Sequence, residues 1–461
     1  MSRRILALLA AVAVAAGAIA WFVLPGRREP LNVIVLVVDT LRADHLGMYG
    51  YHRPTSPNID RFFGEGTLFF NARAQASCTF PSVNSILTSR YPSPFLQQPD
   101  KKMGIPDDIV SVAEIFHQHG YATIAASASP IVRTTGTKYN NHGGFGRGFD
   151  VFDEQCVWKD ARCINEKIVA SLEGKSEPFF LYLHYMDPHD PYRPPGWYRR
   201  RYAVDYEGLD FVVSGNPNPI ADAIHWSKPM PEYSPRDLQH LIDLYDDEIT
   251  YFDGELAVLM GDLATRGLLD RTAIVIASDH GEQFLEHGYM KHCYTLYDTD
   301  IRTPLAFRIP GTPENQVIQK PVQNVDIVPT LLDYAGIDHR PYGFDGRSLR
   351  PLIEGDADDE PAYAFAMQGP NRSVTDEHFK LGYNARKREF GLHDLQDDPG
   401  EHFDVLREHS EAFLRLQGAL LSWETQVAQG KAPNDLLRAG EEVQERLRAL
   451  GYLQGSQAEA R

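Results

Sequence analysis

The chain has 461 residues, with 45 Lys and Arg against 63 Asp and Glu and a formal net charge of −18. That length allows two or more domains and a large core, and 43% hydrophobic with 23% charged residues is an ordinary globular balance. So acidic a chain argues against nucleic acid as a partner, because phosphate backbones are bound by clustered Lys and Arg; an anionic small substrate stays open, since a bound metal makes a site locally positive.

Arg3 and Arg4 precede an unbroken apolar run from Ile5 to Leu24. At about 1.5 Å rise per residue this run just spans a bilayer core. It reads either as an uncleaved anchor or as a signal peptide cut near Ala18-Ile19-Ala20. Trp21, Phe22, Val23 and Leu24 continue the run and favour the anchor, although Arg27 and Arg28 beyond it weaken the charge bias. In both readings the remainder is exported, to the periplasm or outside the cell.

The β-branched run 31–40 reads as a buried strand ending at Asp39. Residues 77–90 carry Thr79 just before Pro81 and a Ser-rich helix start. Residues 121–127 and 179–185 are further strands, and 235–265 is a long helix with Leu238, Leu241, Ile242, Tyr245 and Ile249 at helical spacing. A strand at 272–282 ends in Asp279 and His280, and 326–336 is a helix closed by Gly336. The stretch 186–234 is rich in Pro, Tyr and Asp without period, as binding lids are; with 92–108 it is expected to shape the pocket. Strands interleaved with helices imply an α/β fold, a mixed sheet sandwiched by helices. Beyond Pro341 the pattern changes to short strands at 362–366, 378–383 and 389–395, a helix near 404–428 and a terminal amphipathic helix at 441–453. The division is then 1–30 for the anchor or signal, 31–340 for a catalytic domain, 341–430 for a small antiparallel-sheet subdomain and 431–461 for a helix and tail.

Cys156 and Cys163 are close enough in sequence to pair in an oxidising compartment, and four unpaired thiols are equally compatible with the sequence. Cys78 and Cys293 fall inside candidate site regions.

In open α/β sheets ligands sit at the carboxyl ends of strands. Asp39, Asp279 and His280 can therefore meet on one rim and share a cation. A helix start at Thr79 would aim free N–H groups and the positive dipole end at an anion, and a metal beside Thr79 would lower its hydroxyl pKa. Asp44, His45 and Asp60 read as turn formers, and Asp246, Asp247 and Asp253 as a solvated helix face. His184 reads as a buried strand residue, and His287 as either packing or a hydrogen-bonding neighbour of the metal. The Gly-rich run 142–149 lacks the strand–helix context of a nucleotide loop.

V-D-T-L-R-A-D-H-L-G-M-Y-G-Y (38–51), P-T-S-P-N-I-D (54–60), H-Y-M-D-P-H-D-P-Y (184–192), S-D-H-G-E (278–282) and E-H-G-Y-M-K-H (286–292) together resemble the sulfatase branch of the alkaline phosphatase superfamily. The resemblance implies that Asp39, Thr79, Asp279 and His280 bind one divalent metal ion. It implies that Thr79 takes the nucleophile position. It implies that His189, Lys291 and His292 bind the anionic group and assist the leaving oxygen. The family's C-x-P-x-R signature, whose Cys becomes formylglycine, is here Thr79-Phe80-Pro81-Ser82-Val83. Cys78 is one position out of frame, which argues against formylglycine. Thr40 stands where the family has a second Asp, and the family's Lys-x-His pair after the 121–127 strand is absent. The smaller carboxylate count shifts the expected metal from Ca²⁺ toward Zn²⁺ or Mn²⁺. A Thr ester cannot collapse as a hydrated aldehyde does and needs a second attack on sulfur or phosphorus. The expectation is thus a metal-dependent hydrolase of sulfate or phosphate esters, borne by a small molecule, glycan or lipid. A phospho-headgroup transferase acting on an envelope acceptor and a silent binding protein are the alternatives.

Overall fold

Eight strands build the central sheet: β1 (Asn32–Val38), β2 (Thr67–Phe69), β3 (Ala122–Ser127), β4 (Val151–Asp153), β5 (Phe179–Tyr185), β6 (Thr272–Ala277), β7 (Leu305–Arg308) and β8 (Gln316–Ile318). The computed structural model describes residues 30–453, apart from 94–103, 137–142, 207–232, 357–361, 428–433 and short breaks at 159, 175–176, 197, 199–200, 204–205 and 451. The N-terminal apolar run lies outside the described residues, as does most of the expected lid and of the 92–108 loop. Among the described residues no helix is long and apolar enough to cross a membrane.

Across the sheet the order is β8-β2-β7-β6-β1-β5-β3-β4. Parallel pairings join β6, β1, β5, β3 and β4. β7 runs against both β6 and β2, which makes the sheet mixed. β1, β5 and β6 are buried at every residue, and such continuous apolar runs belong to strands covered on both faces. Val37 of β1 is level with His184 of β5 and with Ala277 of β6. The three central strands therefore end together, and the residues that follow them share one rim.

The helices that flank or approach this sheet are α1 (Pro57–Gly64), α2 (Thr79–Thr88), α3 (Val112–Gln118), α4 (Ala161–Ser171), α5 (Pro235–Thr265) and α6 (Ile327–Tyr334). The long helix α5 covers the expected span. Ser234 caps it in a reciprocal box with Asp237, and Pro235 sits in its first turn. Leu241, Leu244, Tyr245, Ile249 and Phe252 carry it into one core with Ile34, Leu36, Leu181 and Leu183. The solvated-face reading of Asp246, Asp247 and Asp253 is wrong, because all three are buried. Asp246 accepts from Tyr51 and Arg53 and pairs with His45. Asp253 accepts the backbone N–H groups of Asn58 and Ile59, free donors at the start of α1. Asp247 accepts from the N–H of Tyr202. Asp60 does act locally, accepting the Met48 N–H, while Asp44 pairs with Arg42. In the Gly-rich run, Gly148 is at φ +81° and a Cβ there would lie 2.2 Å from the Glu114 nitrogen, so its glycine serves close packing.

The C-terminal part is a four-stranded antiparallel meander, β9 (Ala364–Gln368), β10 (Asn371–Thr375), β11 (Phe379–Asn384) and β12 (Glu389–Asp394). Helices α7 (Ser410–Val427) and α8 (Asn434–Ala449) follow it. Val374, Leu381 and Leu392 pack with Phe413, Leu416, Leu420 and Trp423 in a second core. This sheet is joined to the segment leading into α2 by the Met367 N–H, which donates to the Gln75 carbonyl.

Candidate active site

Asp39 follows β1, Asp279 lies just beyond β6, and His184 is the penultimate residue of β5. Thr79 is the first residue of α2, whose N-cap position is Cys78. The Thr79 hydroxyl does not cap the helix. Its Oγ1 is 3.1 Å from His280 Nε2. His280 Nδ1 is 2.9 Å from the Gly281 carbonyl and donates to it, which leaves the Nε2 lone pair facing the threonine. The same Nε2 is 3.7 Å from Asp39 Oδ1 and 3.5 Å from Asp279 Oδ2. Asp39, Thr79, Asp279 and His280 are thus brought together, and all four are buried. Thr40, at φ +59°, donates its backbone N–H to Asp279 Oδ1 at 3.3 Å. Thr40 thus braces a neighbouring carboxylate.

Asp39 Oδ1 and Asp279 Oδ2 are buried and have no hydrogen-bond partner among the described residues. An unpartnered buried carboxylate oxygen is costly. Burial and then the nearby Asp39 push the Asp279 carboxyl up to about 7. Burial also opposes ionisation of Asp39, but His189, His184 and His280 overcome it and hold this carboxyl below the usual carboxylate range. Two like charges with spare oxygens and an imidazole nitrogen fit a divalent cation. His184 belongs to the same group: Asp39, His184 and Asp279 each offer a ligand atom within 4.8 Å of the others. His184 is the buried strand residue the sequence suggests, but its Nε2 is 3.3 Å from Asp39 Oδ2 and its Nδ1 2.9 Å from the Tyr182 hydroxyl. Its place level with Val37, one strand away from Asp39, is the signal that sequence reasoning passed over.

Three cationic or imidazole groups line the opposite side. The His292 ring is 4.4 Å from that of His280 and 5.1 Å from that of His189. Lys291 Nζ is 2.7 Å from Asp190 Oδ2, and His292 Nδ1 is 3.0 Å from Glu282 Oε1. Burial disfavours the charged form of His189, but Asp39, Asp190 and Glu282 raise its pKa above the ordinary value. Burial, and then His189, push His292 down to about 3. His287 stacks on Tyr297 with ring centres 3.5 Å apart, a packing role. After β3 the chain offers Ser127, Ala128 and Ser129, all buried, where a Lys-x-His pair was sought.

The cysteines pair as Cys78–Cys293 and Cys156–Cys163, which overturns the reading of four free thiols. Cys78 lies immediately before Thr79, so its sulfur is engaged. Two disulfides suggest an extracytoplasmic domain.

A helix N-terminus bearing a hydroxyl, two buried carboxylates and a ring of imidazoles at the carboxyl ends of a mixed sheet define a hydrolase of oxyacid esters. The Sulfatase family model matches residues 31–337, and the model for the C-terminal part of N-sulphoglucosamine sulphohydrolase matches residues 285–421. The chain belongs to the sulfatase family, an ester hydrolase of the sulfuric ester class. It is similar to human arylsulfatase A, 24% identical over 439 residues and covering 82% of this chain and 84% of that protein. Its fold is shared with a protein solved in complex with its substrate D-glucosamine-2-N,6-O-disulfate (TM-score 0.70, 20% identity, covering 88% of this chain and 99% of that one). It is shared as well with the phosphonate monoester hydrolase of Agrobacterium radiobacter (TM-score 0.69, 18% identity, covering 86% and 96%).

Proposed function

We propose that this chain cleaves sulfate or phosphate-type monoesters by in-line attack of Thr79 on the sulfur or phosphorus, with phosphoryl and phosphonyl centres favoured. The observation that carries this reading is the Thr79 hydroxyl, 3.1 Å from His280 Nε2, while the only cysteine beside it is tied to Cys293. Asp39, Asp279 and His280 would hold a divalent cation, with His184 orienting or joining Asp39. Bound there, the cation supplies Lewis acidity that lowers the pKa of an adjacent hydroxyl. The free N–H groups at the start of α2 and the charges of Lys291 and His189 meet the equatorial oxygens. As the bond from Thr79 Oγ1 forms, the bond to the leaving oxygen breaks, and Lys291 or His189 delivers the proton to it, with His292 beside them. The Thr79 ester has no hydroxyl through which to collapse, so a second in-line attack, by water, releases the product and restores threonine. Sulfated or phosphorylated glycans and lipids are the substrates we infer from an exported site, with the apolar run before residue 30 as the membrane attachment.

Turnover of matched p-nitrophenyl sulfate, phosphate and phenylphosphonate by divalent-loaded protein tests this reading, with Thr79→Ala as control and an added alcohol acceptor. The expected result is phosphate or phosphonate hydrolysis that disappears in the control. Activity confined to the sulfate ester contradicts the preference for phosphorus. Alkyl product in place of free anion assigns a transferase, and turnover no greater than that of the control leaves a binding protein.

A further inference from the structure

The segment Met290–Tyr294 carries two of the groups placed around the anion, and its backbone is under strain. Lys291 is at φ +68° and Cys293 at φ +79°, the left-handed region, and neither is glycine. Such a conformation is unfavourable for a residue with a side chain and persists only where its surroundings impose it. The surroundings here are specific. The Cys293 N–H donates to the Ser77 carbonyl at 2.7 Å. Asn371 Nδ2 donates to the Tyr294 carbonyl at 3.0 Å, and Gln368 Nε2 to the Cys293 carbonyl at 3.3 Å. The one covalent tie is Cys78–Cys293, across 215 residues of sequence. Its two ends are the residues next to Thr79 and next to His292. Together with the Cys293 N–H to Ser77 hydrogen bond, it joins the element bearing the proposed nucleophile to the element bearing its proposed electrostatic partners.

We propose that Cys78 and Cys293 are positioning residues of this active site. Their disulfide holds Lys291 and His292 in the strained backbone that sets them opposite Thr79, and the site works at full rate only while the pair is oxidised. The proposal rests on the reading of Thr79, Lys291 and His292 given above. Reduction by an added dithiol breaks the S–S bond, forms two cysteine thiols and converts the dithiol to its cyclic disulfide. Lys291 and Cys293 are then free to leave the left-handed region. The cost falls on kcat, because the displaced groups act on charge that develops during attack. It overlaps with the cost of removing the Lys291 ammonium itself, because both changes remove the same interaction.

The test uses the full chain and the double variant Cys78→Ser/Cys293→Ser, each with and without Lys291→Ala. Amide hydrogen exchange of the peptide containing 290–294 reports the backbone. Turnover of p-nitrophenyl phenylphosphonate and of the matched sulfate reports the chemistry. The double variant is expected to lose protection at 290–294 while the β1 and β6 peptides stay protected. Its kcat should fall by about tenfold or more, as for a misplaced catalytic group. Lys291→Ala should then cost much less in the disulfide-free background than in the native one. Unchanged protection at 290–294 overturns the proposal, whatever the activity. So does a full Lys291→Ala penalty in both backgrounds, the result expected of a disulfide that only stabilises the fold. Should the native chain turn over neither ester, the reading of the active site fails, and with it the positioning role, while the exchange result still decides whether the disulfide holds the 290–294 backbone.

Discussion

Two buried charge clusters are built on opposite rules. At Asp298 every carboxylate oxygen is answered: Arg73 Nη2 is 2.7 Å from Oδ2, and Lys380 Nζ is 2.9 Å from Oδ1. Lys380 also reaches Glu401 Oε1 at 2.9 Å, and the Asp298 N–H donates to Glu401 Oε2. Despite burial, Arg73 and Lys380 hold the Asp298 carboxyl well below the usual range. At Asp39 and Asp279, one oxygen of each carboxylate has no partner among the described residues, and the two acids repel each other. In the first cluster protein atoms answer every carboxylate oxygen, and Lys380 of β11 is tied to Asp298, and through it to Arg73, in the preceding part of the chain. The second leaves two buried carboxylate oxygens unpaired among the described residues, in a group whose ligand atoms could hold a divalent cation.

The sharpest way to break this contrast is to remove one member from each cluster. Thr79→Ala should abolish turnover by a factor of about 10³ or more, as loss of a nucleophile does, with the melting temperature little changed. Asp279→Asn should also lose activity, and with it the stabilisation by added divalent metal, about 2.7 kcal/mol at a hundredfold excess over Kd and read as a rise in melting temperature. If Asp279→Asn keeps the full metal-induced shift, the second cluster is not the metal site. Lys380→Met, in the first cluster, should cost about 3–5 kcal/mol in chemical denaturation because it leaves the buried Glu401 carboxylate without its cation. The folded remainder should keep a kcat/KM near that of the native chain.

A smaller effect concerns Asp300, buried beside both clusters. Burial pushes its carboxyl up to about 8, against the hydrogen bonds from Thr295 and Gln283. Between its ordinary value near 3.8 and about 8 the unfolded chain has released this proton while the native state keeps it. Its contribution to stability therefore falls as pH rises through that window. Asp300→Asn should flatten this fall in denaturation midpoints measured across it; an unaltered slope would show that Asp300 is ionised in the native state.

Much of this was legible in the chain. The apolar runs of β1, β5 and β6 are long and β-branched or aromatic, and α5 repeats its leucines and tyrosines at helical spacing over 31 residues. Asp39, Asp279 and His280 end such runs, so their meeting on one rim followed from the strands. β2 and β8 have three residues each, too few for a period to appear. β10 (Asn371–Thr375) is polar at its start and was missed for the same kind of reason. Asp246 and Asp253 looked solvated because their partners lie about 195 residues away, and nothing in the local period of α5 marks that contact. The pairing of Cys78 with Cys293 was hidden likewise. It depends on how α2 meets the loop after β6, a tertiary fact without local signature.

The account rests on Thr79 as the group that bonds to sulfur or phosphorus. The direct measurement is peptide mass spectrometry of divalent-loaded protein quenched during turnover of p-nitrophenyl phenylphosphonate. The mass of the transferred group is expected on the peptide containing Thr79, absent from Thr79→Ala and removed on longer incubation. A transferred group found on another residue, or undiminished turnover by Thr79→Ala with no adduct anywhere, would contradict it.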